Sequence, residues 1–285
     1  MDLSGYIIEK YNNMANAYTC HRLVSEAKEL GIDLKLIGVH DTMVCEDGMY
    51  NNGEKLEKRD FVINRYKWGK IKRGINDLTE RSYNPLEIYE IFINKYEQIR
   101  RLRSEEFLIP RSVLATSQIK YEQIKSYLGS PFVAKGLENS MGNEIILIKE
   151  PEDFKQLKEK YEQEKEWLFQ EFITTSIGRD MRFYSVRGEA VACMMRKSQG
   201  DFRANVALGA SVEPYEITPQ IQKIAKDIYE QTKLDFLGID LMFGKEKPYF
   251  CEINVMPGLE GIEMASGKNV AKMIMETIKK DFKYE

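Results

Sequence analysis

Two carboxylates and one carboxamide near the end of the chain have a spacing that suits a metal site. Asp240 lies in the middle of the apolar segment 236–243, and Glu252 and Asn254 lie in the segment 249–255. Both segments alternate in polarity, which is typical of strands, and the short stretch between them contains glycine and proline. The sequence therefore predicts a β-hairpin that places Glu252 and Asn254 on one face.

The pairing within this hairpin would bring the two acids together. Pairing Phe243 with Tyr249 places Asp240 directly opposite Glu252. Like charges opposed across two strands are destabilising, and buried carboxylates need a partner. A divalent cation such as Mg²⁺, which prefers oxygen ligands, would satisfy them. Ordinary ion pairs with Arg or Lys are an equally good interpretation of these residues alone. The other residues of the second strand are expected to face away from the site: Tyr249, Cys251, Ile253 and Val255.

The segment after the hairpin favours a functional interpretation. Residues 256–263, MPGLEGIE, combine one proline with two glycines. Proline fixes φ and glycine permits positive φ, so we expect an irregular, rigid loop here, beside the acids. We predict that the loop from Pro257 to Glu263 helps to select the accepting substrate.

Composition excludes several classes of protein. The 285 residues are 43% hydrophobic and 31% charged, with a net charge of −3, so neither nucleic acid nor a membrane is an expected partner. The four cysteines form no paired ligand spacing, and two histidines make a histidine-rich zinc site improbable. The start of the chain has no signal-peptide pattern and no segment is apolar enough to span a bilayer, so we expect a cytoplasmic protein.

The order of elements predicts an α/β (α+β) fold. A small unit over residues 1–84 alternates strand, helix and strand, with a hairpin over 41–56 whose turn is Asp47-Gly48 or Asn52-Gly53, and a helical stretch over 67–80. Asn84 is expected to cap a helix, and a second helix to span Lys95 to Glu106. Strands and helices then alternate over 85–173 and again over 174–285, where the hairpin precedes a final helix from about Asn269.

Side chains would have to hold any phosphate group. The chain contains neither the Walker pattern nor the dinucleotide glycine fingerprint. The candidate cations are Lys95, Lys135, Arg196 and Arg203. Lys135 closes the apolar strand PFVAK and precedes a polar loop, although a lysine leaving the sheet for solvent is the alternative. Arg203 lies in the loop GDFRAN, whose composition favours a functional loop over a simple connector.

In combination, these motifs resemble the RimK-type family of ATP-grasp glutamate and amino-acid ligases. The resemblance covers about residues 85–285, and the unit before it is similar to that family's pre-ATP-grasp domain. It implies two ATP-grasp subdomains, over 85–173 and 174–285, and it makes Asp240, Glu252 and Asn254 the metal ligands. The nucleotide-binding residues that it implies are Lys95, Lys135, Glu171, Phe172, Ile173, Asp180, Arg203 and Asn205.

The resemblance also implies a reaction. A substrate carboxylate attacks the γ-phosphate of ATP, and an amino-acid amine then displaces phosphate from the acyl phosphate to form an amide. Lys135, Arg196 and Arg203 would stabilise the developing charge, together with Mg²⁺ or, as an alternative, Mn²⁺. The acceptor is a peptide, a protein tail or a small acid, and related ligases often self-associate.

Two departures from the family pattern motivate alternatives. The phosphate lid keeps Gly142 but lacks further glycines in SMGNE, and Met195-Arg196-Lys197 replaces an arginine doublet. The thinner lid motivates one competing hypothesis, a nucleotide-binding module without turnover. A kinase on the same fold is a third possibility.

Overall fold

Four parallel strands form the amino-terminal sheet. A computed structural model describes residues 3–11, 18–67, 69–138, 144–205 and 209–282. The strand order is β2-β1-β6-β7, with β1 at Ser4–Glu9, β2 at Asp33–Gly38, β6 at Arg59–Asn64 and β7 at Thr79–Tyr83. Helix α1 (Tyr18–Glu29) follows β1, and helix α2 (Lys70–Asp77) connects β6 to β7. The central strands β1 and β6 are buried on both faces, as expected of a parallel sheet, whereas the edge strand β7 exposes Glu80 and Arg81.

The segment between β2 and β6 is a three-stranded meander. Its strands are β3 (Thr42–Cys45), β4 (Gly48–Asn51) and β5 (Glu54–Lys55). The sequence predicted one hairpin with a choice of two turns, but both turns are used. Gly48, Asn52 and Gly53 all adopt positive φ, which both Asx-Gly pairs allow.

The next unit is an antiparallel sheet covered by two helices. Its order is β10-β9-β11-β8, with β8 at Ser112–Thr116, β9 at Phe132–Gly136, β10 at Ile145–Ile148 and β11 at Glu166–Glu171. Helices α5 (Tyr121–Leu128) and α6 (Pro151–Lys160) pack on one face around Phe132, Phe154 and Phe169. The other face is left for the cleft described below.

The last sheet carries the predicted hairpin. Its order is β14-β13-β12-β15-β16, with β12 at Arg179–Val186, β13 at Glu189–Lys197, β14 at Ser211–Pro214, β15 at Phe236–Met242 and β16 at Tyr249–Asn254. One face packs on helices α3 (Leu86–Phe92), α4 (Lys95–Arg101) and α7 (Pro219–Thr232). The other face packs on the amino-terminal unit and on helix α9 (Val270–Asp281).

Several local predictions are wrong. The helix predicted over 67–80 ends at Asp77, and β7 and β14 were missed because polar edge strands lack an apolar signature. The helix predicted to reach Glu106 ends at Arg101. Asn84 caps no helix; its amide hydrogen-bonds the backbone of Phe236 and Val255 instead. The domain boundaries stay predictions, and Gly142, the glycine predicted in the phosphate lid, lies outside the described residues.

Candidate active site

The β15–β16 hairpin opposes the two predicted acids across the strands. Asp240 pairs with Glu252, and Gly238 pairs with Asn254. Near the turn, the strand pairing is shifted by one residue from the predicted register: Met242 rather than Phe243 pairs with Tyr249. An irregularity between Asp240 and Leu241 absorbs the difference.

This irregularity changes which side chains face the cleft. The extra residue is on β16, so strict alternation fails there. Cys251 was predicted to point away from the acids, but it lines the same cavity as Glu252 and lies 4.0 Å (Sγ) from Nζ of Lys135. Burial raises the pKa of the Cys251 thiol to about 11.

Two guanidinium groups hold the carboxylate of Asp240. Arg182 donates from Nε to Oδ1 at 2.5 Å and from Nη2 to Oδ2 at 2.6 Å, and Nη2 of Arg196 lies 2.9 Å from Oδ2. Burial works to raise the pKa of Asp240, but the two arginines outweigh it and hold the pKa at about 2. Arg196 also forms a bidentate pair with Asp180, whose pKa is raised by burial.

The acids are therefore balanced by protein cations. Oε2 of Glu252 lies 3.2 Å from Nζ of Lys95, which begins helix α4. The alternative interpretation from sequence, ion pairs with Arg or Lys, thus describes both carboxylates. A cleft nevertheless adjoins them, so the pairs do not exclude a ligand site.

Helix α4 also fixes the backbone between two predicted ligands. Nε2 of Gln98 donates to the carbonyl of Ile253 at 3.0 Å, and N–H of Ile253 donates to Oε1 of Gln98 at 2.8 Å. Because β16 is an edge strand, these backbone groups have no neighbouring strand on that side. Gln98 completes the hydrogen bonding of β16 between Glu252 and Asn254.

One cavity of about 570 Å³ brings the predicted site residues together between the central and carboxyl-terminal sheets. Every predicted site residue lines it: Lys95, Lys135, Glu171, Phe172, Ile173, Asp180, Arg196, Arg203, Asn205, Asp240, Glu252 and Asn254. Among the described lining residues, seven Lys and Arg side chains face five Asp and Glu side chains, an excess of two positive charges. This excess suits a polyanionic ligand.

The predicted phosphate-binding cations sit on different elements. Lys135 belongs to β9 and its exposed fraction is only 8%, so it does not leave the sheet for solvent. Arg203 is held by Asp201 two residues earlier, with Nη2 2.6 Å from Oδ2. Arg196 is almost completely buried on β13.

Three of the predicted nucleotide-binding residues, Glu171, Phe172 and Ile173, lie at and just after the end of β11, and we call them the predicted hinge. Glu171 binds Arg111, and the ring of Phe172 meets that of Phe202 edge to face at 5.9 Å. Gln170 precedes them and is 2% exposed; its Nε2 donates to Ser112, but Oε1 has no hydrogen-bond partner in the described structure. A buried acceptor without a partner in a cavity wall suits a ligand that donates a hydrogen bond.

Sequence reasoning missed the contributions of Arg182, Gln98 and Gln170. Arg182 lies two residues after Asp180 on β12, so strand alternation could have placed it beside Asp180. Gln98 carried no signal, since nothing in a helix sequence identifies the strand edge it meets. The loop predicted over 256–263 is irregular only to Leu259, because α8 (Glu260–Ser266) follows. Glu263 binds Tyr18 and Arg22, away from the cavity.

The described part of the chain contains neither a cluster of His, Cys, Asp and Glu metal ligands nor a membrane-spanning helix. Within the described ranges, no group of three or more His, Cys, Asp or Glu side chains is placed to hold a metal ion. The predicted metal set differs, since it consists of two carboxylates and one amide. None of the helices described here has the length and apolar character needed to cross a bilayer.

A family model and two relatives all relate this chain to ATP-grasp glutamate ligases. Residues 93–278 match the model of the RimK-like ATP-grasp domain. A probable alpha-L-glutamate ligase of Methanococcoides burtonii is 30% identical across 93% of this chain and 93% of its own length. A probable alpha-L-glutamate ligase 2 of Pseudoalteromonas atlantica is 31% identical across 94% and 93%.

Solved structures share the fold at low identity. The ATP-grasp ligase PsnB complexed with minimal precursor superimposes with a TM-score of 0.72 at 14% identity, covering 97% of this chain and 98% of that one. The D-alanine–D-alanine ligase of Bacillus anthracis gives a TM-score of 0.70 at 15% identity, covering 97% and 96%.

Proposed function

The chain belongs to the RimK-like ATP-grasp family, and from that premise we propose that this ADP-forming ligase adds an amino acid, first of all glutamate, to a carboxylate. The acceptor is the carboxylate of a peptide, a protein tail or a small acid. The observation that carries the proposal is the cavity in which acids, an amide and an excess of cations meet. The relatives named glutamate ligases support the choice of amino acid, and the complex of PsnB with the precursor peptide PsnA2 supports a peptide acceptor.

The proposed reaction has two steps. An oxygen of the acceptor carboxylate attacks the γ-phosphorus of ATP, so the bond to the β–γ bridging oxygen breaks and ADP leaves. The amine nitrogen then attacks the acyl carbon, phosphate departs and the amine loses a proton. Lys135, Arg196 and Arg203 are proposed to neutralise charge on the transferring phosphoryl group, and Lys95 to bind the nucleotide.

The residues that would hold Mg²⁺ fit its chemistry. Asp240, Glu252 and Asn254 offer only oxygen donors, and the carboxylate oxygens that accept from arginine or lysine retain further lone pairs. Oδ1 of Asn254 accepts a hydrogen bond from N–H of Met256, which fixes the orientation of the amide. Bound Mg²⁺, or Mn²⁺ in its place, would supply Lewis-acid stabilisation of phosphate charge.

Nucleotide binding is supported at the hinge. The buried, unpartnered Oε1 of Gln170 can accept a hydrogen bond from an amino group such as that of adenine. Phe172 and Ile173 supply apolar surface in the same wall. Glu171 and Asp180 are proposed to lie near the adenine and ribose, and Asn205 near the phosphates.

The test combines two measurements. The protein is incubated with ATP, Mg²⁺ and pools of amino acids and peptides, and ADP release and the mass of the acceptor are recorded. A ligase gives ADP together with an acceptor heavier by one or more amino-acid residues. ADP or a phosphorylated acceptor without amide would indicate an ATPase or a kinase. Nucleotide binding without ADP would indicate a module without turnover, and either result would refute the proposal.

A further inference from the structure

The ends of β1 and β6 form a crevice in the amino-terminal sheet. Helix α1, which follows β1, packs on one face of this sheet through Leu23 and Ala27. Helix α2, which follows β6, packs on the opposite face through Ile75. The two neighbouring strands therefore send their connections in opposite directions. In open α/β sheets, ligands bind in the crevice that such a reversal leaves outside the carboxyl ends of the strands.

A buried ion pair occupies this crevice. Glu9 ends β1 and Arg65 directly follows β6, and Nε of Arg65 lies 2.7 Å from Oε1 of Glu9. Their side chains are only 10% and 14% exposed, and both line the cavity of the candidate active site. The exposed remainder of the pair therefore faces the site rather than the outer surface.

Arg65 also contacts the segment after the β15–β16 hairpin. Its Nη1 donates to the carbonyl of Pro257 at 2.9 Å, and Met256 and Gly258 line the cavity. The thiol of Cys20 also interacts with the guanidinium, but among the residues that the structure describes no hydrogen bond is found at Nη2 of Arg65. The guanidinium is thus fixed at two atoms and keeps one donor group for a ligand.

The position of Arg65 indicates that it binds one of the two substrates other than ATP. The predicted hinge lies at the end of β11, whereas Arg65 lies beyond Asn254, at the segment that leaves the hairpin. Lys95, Lys135, Arg196 and Arg203 are already proposed for phosphate. We propose that Arg65, presented by Glu9 and Pro257, binds a carboxylate of the incoming amino acid, an inference that rests on the proposed function.

Binding measured without turnover tests this directly. L-Glutamate is titrated calorimetrically into the full chain with Mg²⁺ and a non-hydrolysable ATP analogue, and L-glutamine and the α-amide of glutamate are titrated in parallel. A charge-assisted hydrogen bond corresponds to about tenfold to a hundredfold in affinity. We expect Arg65→Met to weaken L-glutamate binding by that factor. One of the two amides should bind the wild type as weakly as L-glutamate binds Arg65→Met. The affinity of that amide should not change in the variant.

Matched variants separate recognition from folding. Arg59 begins the same strand at its other end and pairs with Asp33, with Nη1 2.7 Å from Oδ2, so Arg59→Met is the control that should leave binding unchanged. The double variant Glu9→Gln/Arg65→Met removes both buried charges and should keep the binding defect without leaving a lone carboxylate.

The outcomes are distinct from those of the ligase assay. No measurable binding of L-glutamate to wild type, or identical discrimination between glutamate and its amides by wild type and Arg65→Met, would overturn the inference. Either result leaves the formation of an amide with another amino acid as an independent test of the proposed function.

Discussion

Replacing Gln98 by methionine should damage both stability and the candidate site. Gln98 is 3% exposed and makes three hydrogen bonds through its amide, to the carbonyls of Phe92 at 2.7 Å and Ile253 at 3.0 Å, and from N–H of Ile253 at 2.8 Å. Methionine has a similar volume but cannot replace these bonds. At about 1 kcal/mol each, their loss should lower the free energy of unfolding by about 3 kcal/mol.

The functional effect follows from the position of Ile253. It lies between Glu252 and Asn254, so freeing its backbone should let both predicted metal ligands shift. A small displacement of catalytic groups can cost orders of magnitude in rate, and we expect kcat to fall by at least about tenfold. Urea denaturation measures the first effect, and ADP release in the ligase assay measures the second.

Gln222 provides a matched control. It forms a similar clamp on another backbone segment, donating to the carbonyl of Gly188 at 3.1 Å and accepting from N–H of Ala190 at 3.2 Å. Gln222→Met should therefore lower stability by about 2 kcal/mol and leave kcat unchanged. A stability loss below about 1 kcal/mol in Gln98→Met, or an equal loss of kcat in both variants, would refute the reasoning.

Three further predictions follow from single residues. Glu252→Ala should abolish turnover while circular dichroism shows an intact fold, because it removes a proposed metal ligand; retained activity would contradict that assignment. Gln170→Leu should weaken ATP binding by about threefold to tenfold with GTP binding unchanged, measured by competitive displacement, and equal losses would argue against a role at the base. Lys72 is fully buried, and burial lowers its pKa from 10.5 to about 8. The unfolded chain therefore binds the proton more tightly, so the free energy of unfolding should rise by about 3 kcal/mol as pH increases from 8 to 10.5. Urea titrations at several pH values should show this rise in wild type relative to Lys72→Met, and parallel curves would count against it.

The sequence by itself determined the chemistry and much of the pairing in the hairpin. Asp240, Glu252 and Asn254 are set by strand alternation and a short turn, which are local properties, and local geometry brought Asp240 opposite Glu252. Short apolar segments likewise predicted most strands. The motif order identified the family, which the relatives then established.

The tertiary structure decided what surrounds these groups. Arg182, Gln98 and Arg65 reach the site from a neighbouring strand, a helix and a separate sheet, and no local pattern specifies such contacts. One extra residue in β16 reversed the direction of Cys251. Side chains of a strand alternate between its two faces, so a single inserted residue moves a side chain to the other face. The sequence did not predict the edge strands β7 and β14, because their polar residues face solvent. These strands pair through backbone hydrogen bonds, whose donors and acceptors do not depend on residue type.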